Sequence, residues 1–226
     1  STVPHIVRQA FQYVMAPLSS AQAHVDRAEL GPLYRFAARV STALVVPLSG
    51  LLIFAGADIL SVYRQEAEAA LPLLALLVAA RAVEAIVGPA TPIVEMAGHR
   101  LLPLLNSVLG VALGAVLAAW LVPDLEAFGM AIAVAAATIV IAYAATLELK
   151  LSDGLSPFDR KLFQGLAIAL AGVALMALAE SLTRGPLRFA CVFALWAATS
   201  WLALRFGLNR PDREAFGAVA RRLHLA

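Results

Sequence analysis

Two charges interrupt an otherwise apolar stretch: Arg81 and Glu84 sit near the middle of residues 71–92, inside a longer apolar run at 69–94. An Arg at the centre of a membrane helix costs about 2.5–3.5 kcal/mol on insertion scales, so such a charge needs a partner or a wet cavity. Their i,i+3 spacing puts both side chains on one helix face, where they can pair. Two roles are open. The pair can neutralise itself and lock this helix against its neighbours, or Arg81 can line a water-filled cavity and meet an anionic substrate while Glu84 holds it in place. Residues for covalent chemistry are missing. The four histidines (His5, His24, His99, His224) show no HExxH or clustered metal-ligand spacing, so no metal is expected. There is no Gly-x-Ser-x-Gly elbow and no phosphate-cradling Gly-rich loop, and no cofactor is called for. Asp26 with Glu29, and Asp124 with Glu126, read as solvated loop charges. The expectation is that this is not an enzyme.

The elements that position these residues are membrane helices. Charge-free stretches cover residues 40–57, 101–123, 127–147, 162–179 and 189–204, and 69–94 is broken only by Arg81 and Glu84. About 20 apolar residues suffice to cross a hydrocarbon core roughly 30 Å thick. Backbone polar groups must be satisfied internally there, so helices are the natural spanning form. Hydrophobic residues make up 62% of the chain and charged ones 14%, against roughly 25% charge in soluble domains. The net charge of +2 is therefore no nucleic-acid signal. The fold class expected is an all-α polytopic membrane helix bundle with six complete spans and one partial N-terminal helix. Near the start, Ile6, Val7, Ala10, Phe11, Val14, Met15 and Leu18 form an apolar stripe at helical spacing, with Gln9 and Gln12 off it. Such a segment is either an interfacial amphipathic helix or, over residues 1–25, the end of a truncated membrane helix whose polar face, Gln9 and Gln12, turns to a cavity.

The charged islands alternate in basic content. Those at 26–39, 95–100 and 148–161, together with the tail from Arg205, hold 12 basic residues; those at 58–68, 124–126 and 180–188 hold 3. The positive-inside rule then places the first set and the C-terminus in the cytoplasm. Gly88, Pro89 and Pro92 predict a kink at the end of the second span. Gly110 and Gly114 form a small-xxx-small face for close helix approach. Cys191, the single cysteine, lies inside an apolar stretch and reads as a small buried hydrophobe.

Several of these residues stand in a familiar order. Pro17-Leu18-Ser19, Asp26, Leu30, Leu33-Tyr34, Arg39 and Pro47 resemble a loop and helix of bacterial polysaccharide flippases. Gly98-His99-Arg100, Asn106, Pro123 and Gly129-Met130-Ala131-Ile132-Ala133 follow in the order found in that family. Residues 14–149 are similar to the C-terminal half of the multidrug/oligosaccharidyl-lipid/polysaccharide exporter superfamily, and 162–204 to the two extra helices of its fourteen-helix members. The segment Asp124-Leu125-Glu126-Ala127-Phe128 departs from the usual second Gly there. The resemblance implies residues 26–149 as a four-span second-bundle core, 150–208 as two additional spans and 209–226 as a cytoplasmic tail.

It further implies translocation of an undecaprenyl-pyrophosphate-linked oligosaccharide across a bacterial inner membrane for polysaccharide biosynthesis. The partners would be the lipid-linked oligosaccharide, membrane lipids and a missing N-terminal bundle of the same transporter; no nucleic acid is expected. In that reading Arg81 is the cavity cation, with Glu84, Gln9 and Gln12 beside it. Arg39 and Arg100 guard the cytoplasmic mouth, or serve as ordinary topology anchors. The alternatives are a cation-coupled small-molecule exporter of the same superfamily, with Glu84 its only core acid, a membrane-embedded enzyme of envelope synthesis, and a non-transporting membrane scaffold.

Overall fold

A computed structural model describes residues 27–61, 70–99 and 101–215. Gln9, Gln12, Arg100 and the proposed truncated helix at 1–25 lie outside the described residues. Among those residues the chain is all-helical, with no strand: α1 (Arg27–Phe54), α2 (Gly56–Ser61), α3 (Leu71–Val87), α4 (Ala90–Met96), α5 (Leu101–Ser152), α6 (Arg160–Leu182), α7 (Pro186–Gly207) and α8 (Arg210–Ala215). Five segments are long and apolar enough to cross a membrane: Leu30–Phe54, Leu71–Met96, Leu101–Ser152, Arg160–Leu182 and Pro186–Gly207. They mark a multi-pass membrane protein.

The 52-residue α5 is a hairpin rather than one rod. A straight helix of that length would run about 78 Å. Yet Asn106 Nδ2 donates to Glu148 Oε2 at 2.7 Å, and His99 and Asp153 at its two ends lie 2.9 Å apart. The chain reverses at Glu126, whose φ of 48° and ψ of −124° break the helix just after Pro123. Gly129 makes the turn possible: a Cβ there would come within 2.5 Å of the Leu121 carbonyl oxygen. Gly110 then packs against Ile141 and Gly114 against Ala137, so the small-residue face read from sequence is spent inside the hairpin.

Helix α1 is the common member of two cores. At one end Leu30 and Tyr34 pack with Ala90, Ile93, Val94, Ala97, Ala145 and Leu149 of α4 and the second hairpin arm. At the other, Leu51 and Ala55 pack with Met176 of α6 and Val192 of α7. Glu29, read from sequence as a loop charge, lies instead in the first turn of α1, which begins at Arg27. Leu30, Tyr34, Ala37 and Ala38 continue the buried stripe, while Arg35 points outward. The expected kink falls at Gly88, where α3 gives way to α4. Its φ of 66° suits glycine, and a Cβ would lie 2.7 Å from Ala38 Cα.

The side-chain pairs sort the islands into two ends. Arg39 of α1 reaches Asp159 and Asp212, Tyr34 reaches Thr146, and His99 reaches Asp153. The Arg39 and His99 pairs join islands of the basic set at one end of the molecule, with the Tyr34–Thr146 bond beside them. Arg188 holds Asp58 by Nε at 3.0 Å and Nη2 at 2.5 Å, joining two islands of the poor set. Gly31 lies against Leu155 and Gly50 against Val173 and Met176, so α1 and α6 run parallel. Both therefore begin at the basic end.

Candidate functional site

Arg81 and Glu84 form the expected pair: Arg81 Nη1 lies 2.6 Å from Glu84 Oε2 on one face of α3. The depth of the pair follows from packing. Thr42 Oγ1 donates to the Ala85 carbonyl at 3.4 Å, and Gly88 lies against Ala38. Helices α1 and α3 are therefore antiparallel in a register that sets Arg81 level with Val45 and Val46. That is about 8 Å inside the charge-free zone that starts at Val40, at 1.5 Å per residue. The guanidinium side chain remains 38% exposed and the carboxylate 23%. Helix α3 is fixed beside the hairpin by Tyr143, whose hydroxyl donates to the Val83 carbonyl at 3.3 Å. The pair thus faces away from the packed interior while lying at membrane depth.

Arg39 has the opposite environment. It is 6% exposed, and its guanidinium is gripped by Asp159 and Asp212. With its amide turned carbonyl-inward, Asn209 accepts from Nη1 at 2.9 Å and Nη2 at 3.1 Å. Asp159 also caps α6, accepting from the Leu162 N–H at 2.8 Å, and Asp212 accepts from the Asn209 N–H at 2.9 Å. Burial alone would raise the Asp159 pKa. The bonds from Arg39 and the Leu162 N–H, with the charges of Arg39 and Arg35, outweigh it and hold the carboxyl below its usual range. Arg39, read from sequence as a mouth residue, is here a bolt joining α1 to the starts of α6 and α8.

A further acid is held across the hairpin, near its basic end. Asn106 is 4% exposed and donates to Glu148 across the two arms. Sequence reasoning placed Glu148 in a loop island and left it unassigned. Its signal was the helical continuation to Ser152, which no charge count reveals. The Tyr34 hydroxyl lies 3.1 Å from Thr146 Oγ1. Because Thr146 spends its proton on the Ala142 carbonyl, Tyr34 is the donor. A recess of about 290 Å³ lies at the basic end, lined by Leu30, Ser152, Asp153 and Leu155, away from Arg81. Among the described residues no three His, Cys, Asp or Glu side chains gather as a metal site. No protein-family model, curated protein or solved structure matches the chain.

Proposed function

We propose that this chain supplies one wall of a lipid-linked oligosaccharide flippase of a bacterial inner membrane. It would cross the membrane six times, counting the hairpin arms separately, with its basic end and C-terminus in the cytoplasm. The observation that carries this reading is the partly exposed Arg81–Glu84 pair at membrane depth. A charged face is costly against lipid, so it calls for a water-filled cavity or a facing bundle. A cation there suits the pyrophosphate of an undecaprenyl-linked sugar, whose polyprenyl tail stays in lipid. Rocking of two bundles would give alternating access. The order of sequence motifs across residues 14–149 supports the same family; no covalent step is assigned.

The test uses the chain together with its facing bundle, reconstituted with a fluorescent lipid-linked oligosaccharide and an outer-leaflet quencher. Arg81→Ala should abolish translocation while protein abundance stays near normal. Arg81→Ala with Glu84→Ala should not restore it; recovery in the double variant would show that the pair only neutralises itself. Orientation is read separately in a Cys191→Ser background. Leu125→Cys should label from the periplasm and Ser156→Cys from the cytoplasm, and labelling from one side overturns the six-span topology.

One observation favours a second reading. The part-buried Asn106–Glu148 contact gives an ion-coupled exporter a candidate acid other than Glu84. Glu148→Gln would then remove the dependence of transport on an ion gradient, whereas in the flippase reading it leaves that dependence unchanged.

A further inference from the structure

At the basic end, the acids and the cations of one neighbourhood point in different directions. Asp159 and Asp212 both turn inward to Arg39. The cations beside them in sequence, Arg160 and Arg210, are exposed. Lys161 reaches across from α6 to the end of α7, its Nζ donating to the Phe206 carbonyl at 3.2 Å. Two of its three N–H donors remain for a ligand. The Arg205 guanidinium lies 5.3 Å from the ring centre of Trp201, a cation–π distance. Arg213 Nη2 donates to the Arg205 carbonyl at 2.5 Å. The last carbonyls of α7 thus hold two cations in place, as expected at a helix C-terminus.

Two features beside charge point to the membrane surface as the source of a ligand. Trp201 and Phe206 are exposed at 37% and 49%, and Trp is enriched where a membrane meets water. The cations stand where the apolar spans Arg160–Leu182 and Pro186–Gly207 begin and end. That is headgroup level, so a phosphodiester attached to acyl chains reaches them without leaving the bilayer.

We infer that the α6 start and α7 end form a binding site for the headgroup of an acidic phospholipid, contacted by Arg160, Lys161 and Arg205 with Trp201 at its edge. The site depends on membrane embedding and not on what the protein transports. It differs from a generic basic surface because the local carboxylates are withdrawn to Arg39. Its partners are the phosphate oxygens of a lipid that stays bound, rather than a substrate that crosses.

Trp201 is a built-in reporter. The full chain carrying Trp120→Phe and Trp196→Phe is reconstituted in vesicles containing equal fractions of brominated phosphatidylglycerol or brominated phosphatidylcholine. Quenching of Trp201 should be at least roughly twofold stronger with the acidic lipid, since each nearby cation attracts anionic lipid. Arg160→Gln with Lys161→Gln should weaken it, leaving only the share that Arg205 contributes beside Trp201. Arg160→Lys with Lys161→Arg should keep it, and so should Lys150→Gln, which removes an exposed cation of the hairpin at the same end. Unchanged quenching by phosphatidylcholine certifies that a variant is still inserted. Equal quenching by the two lipids in the unsubstituted positions would overturn the proposal. So would loss of the preference when glycerol phosphate is added at matched ionic strength, which would assign the cations to a free anion.

Discussion

Arg39 and Arg81 are arginines on neighbouring, antiparallel helices, and their partners could hardly differ more. Arg39 is buried and held by two carboxylates from elements 120 and 173 residues away. Arg81 has a carboxylate one helical turn away on its own helix, and its side chain is 38% exposed. A pair drawn from distant elements is possible only when those elements are packed, so Arg39 reports and enforces the tertiary fold. A pair within one turn of α3 forms whether or not the helix is packed, so it fixes little beyond its own rotamers. A buried cation held by carboxylates from distant elements is tied to the fold. A partly exposed cation paired within its own helix is tied to it far less.

The largest effect should come from breaking the buried site. Arg39→Met leaves Asp159 and Asp212 facing each other without their cation. Removing one partner of a buried pair costs about 3–5 kcal/mol, most of it from the charge left behind. Thermal unfolding in detergent should show a drop of that order, together with release of α8. Adding Asp159→Asn and Asp212→Asn to Arg39→Met should recover a large part of it. If Arg39→Met unfolds at the same temperature as the parent, the contrast between the two arginines collapses.

Acid sharpens the same contrast. Asp159 is held below its ordinary value of 3.8 in the folded chain. A depressed carboxylate contributes stability that is fully present above the unfolded value and is lost as pH falls through the folded one. Stability should therefore be insensitive to Asp159 at pH 5–7 and decline below about 3.8. In Asp159→Asn, which keeps an N-cap oxygen for Leu162, stability should be lower at neutral pH. Its gap from the parent should narrow as acid protonates the parent's carboxyl. A constant gap down to pH 2 would show that the Arg39 bond is not what depresses Asp159.

Much of this arrangement was legible before the fold was known, because membrane helices obey local rules. The apolar runs matched the last two spans to within a few residues, though the first helix starts well before its run; Gly88 and Pro89 gave the kink, and i,i+3 spacing gave the Arg81–Glu84 pair. The alternating islands gave a grouping that the Arg39–Asp159, His99–Asp153 and Arg188–Asp58 pairs reproduce by contact. What stayed hidden was every pair between distant elements. Charge counting cannot distinguish an Asp159 turned inward to Arg39 from one in solvent, since both belong to a basic loop. Nor does it show that Asn106 meets Glu148, because their proximity exists only once residues 124–126 reverse the chain. Gly110 and Gly114 were visible as a packing face, but which helix they receive depends on the same reversal.

The smallest expected effect probes the exposed site directly. Glu84→Gln removes the local partner of Arg81 but preserves its shape and a hydrogen-bond acceptor. An i,i+3 or i,i+4 ion pair on a helix contributes about 0.2–0.5 kcal/mol in water. Arg81 is exposed enough that its charge does not depend on Glu84 for solvation if a cavity is present. Unfolding of Glu84→Gln should thus shift by only a few tenths of a kcal/mol, on the order of one tenth of the Arg39→Met effect. The comparison is informative because one variant breaks a buried contact between distant elements and the other a partly exposed contact within one helix. In lipid without a cavity, an Arg stripped of its carboxylate would be a lone charge costing about 2.5–3.5 kcal/mol. A destabilisation of that size in Glu84→Gln would mean that Arg81 faces hydrocarbon and relies on its neighbour alone. The wall of a polar cavity would then have to be sought elsewhere on this molecule, with the Asn106–Glu148 contact as the next place to look.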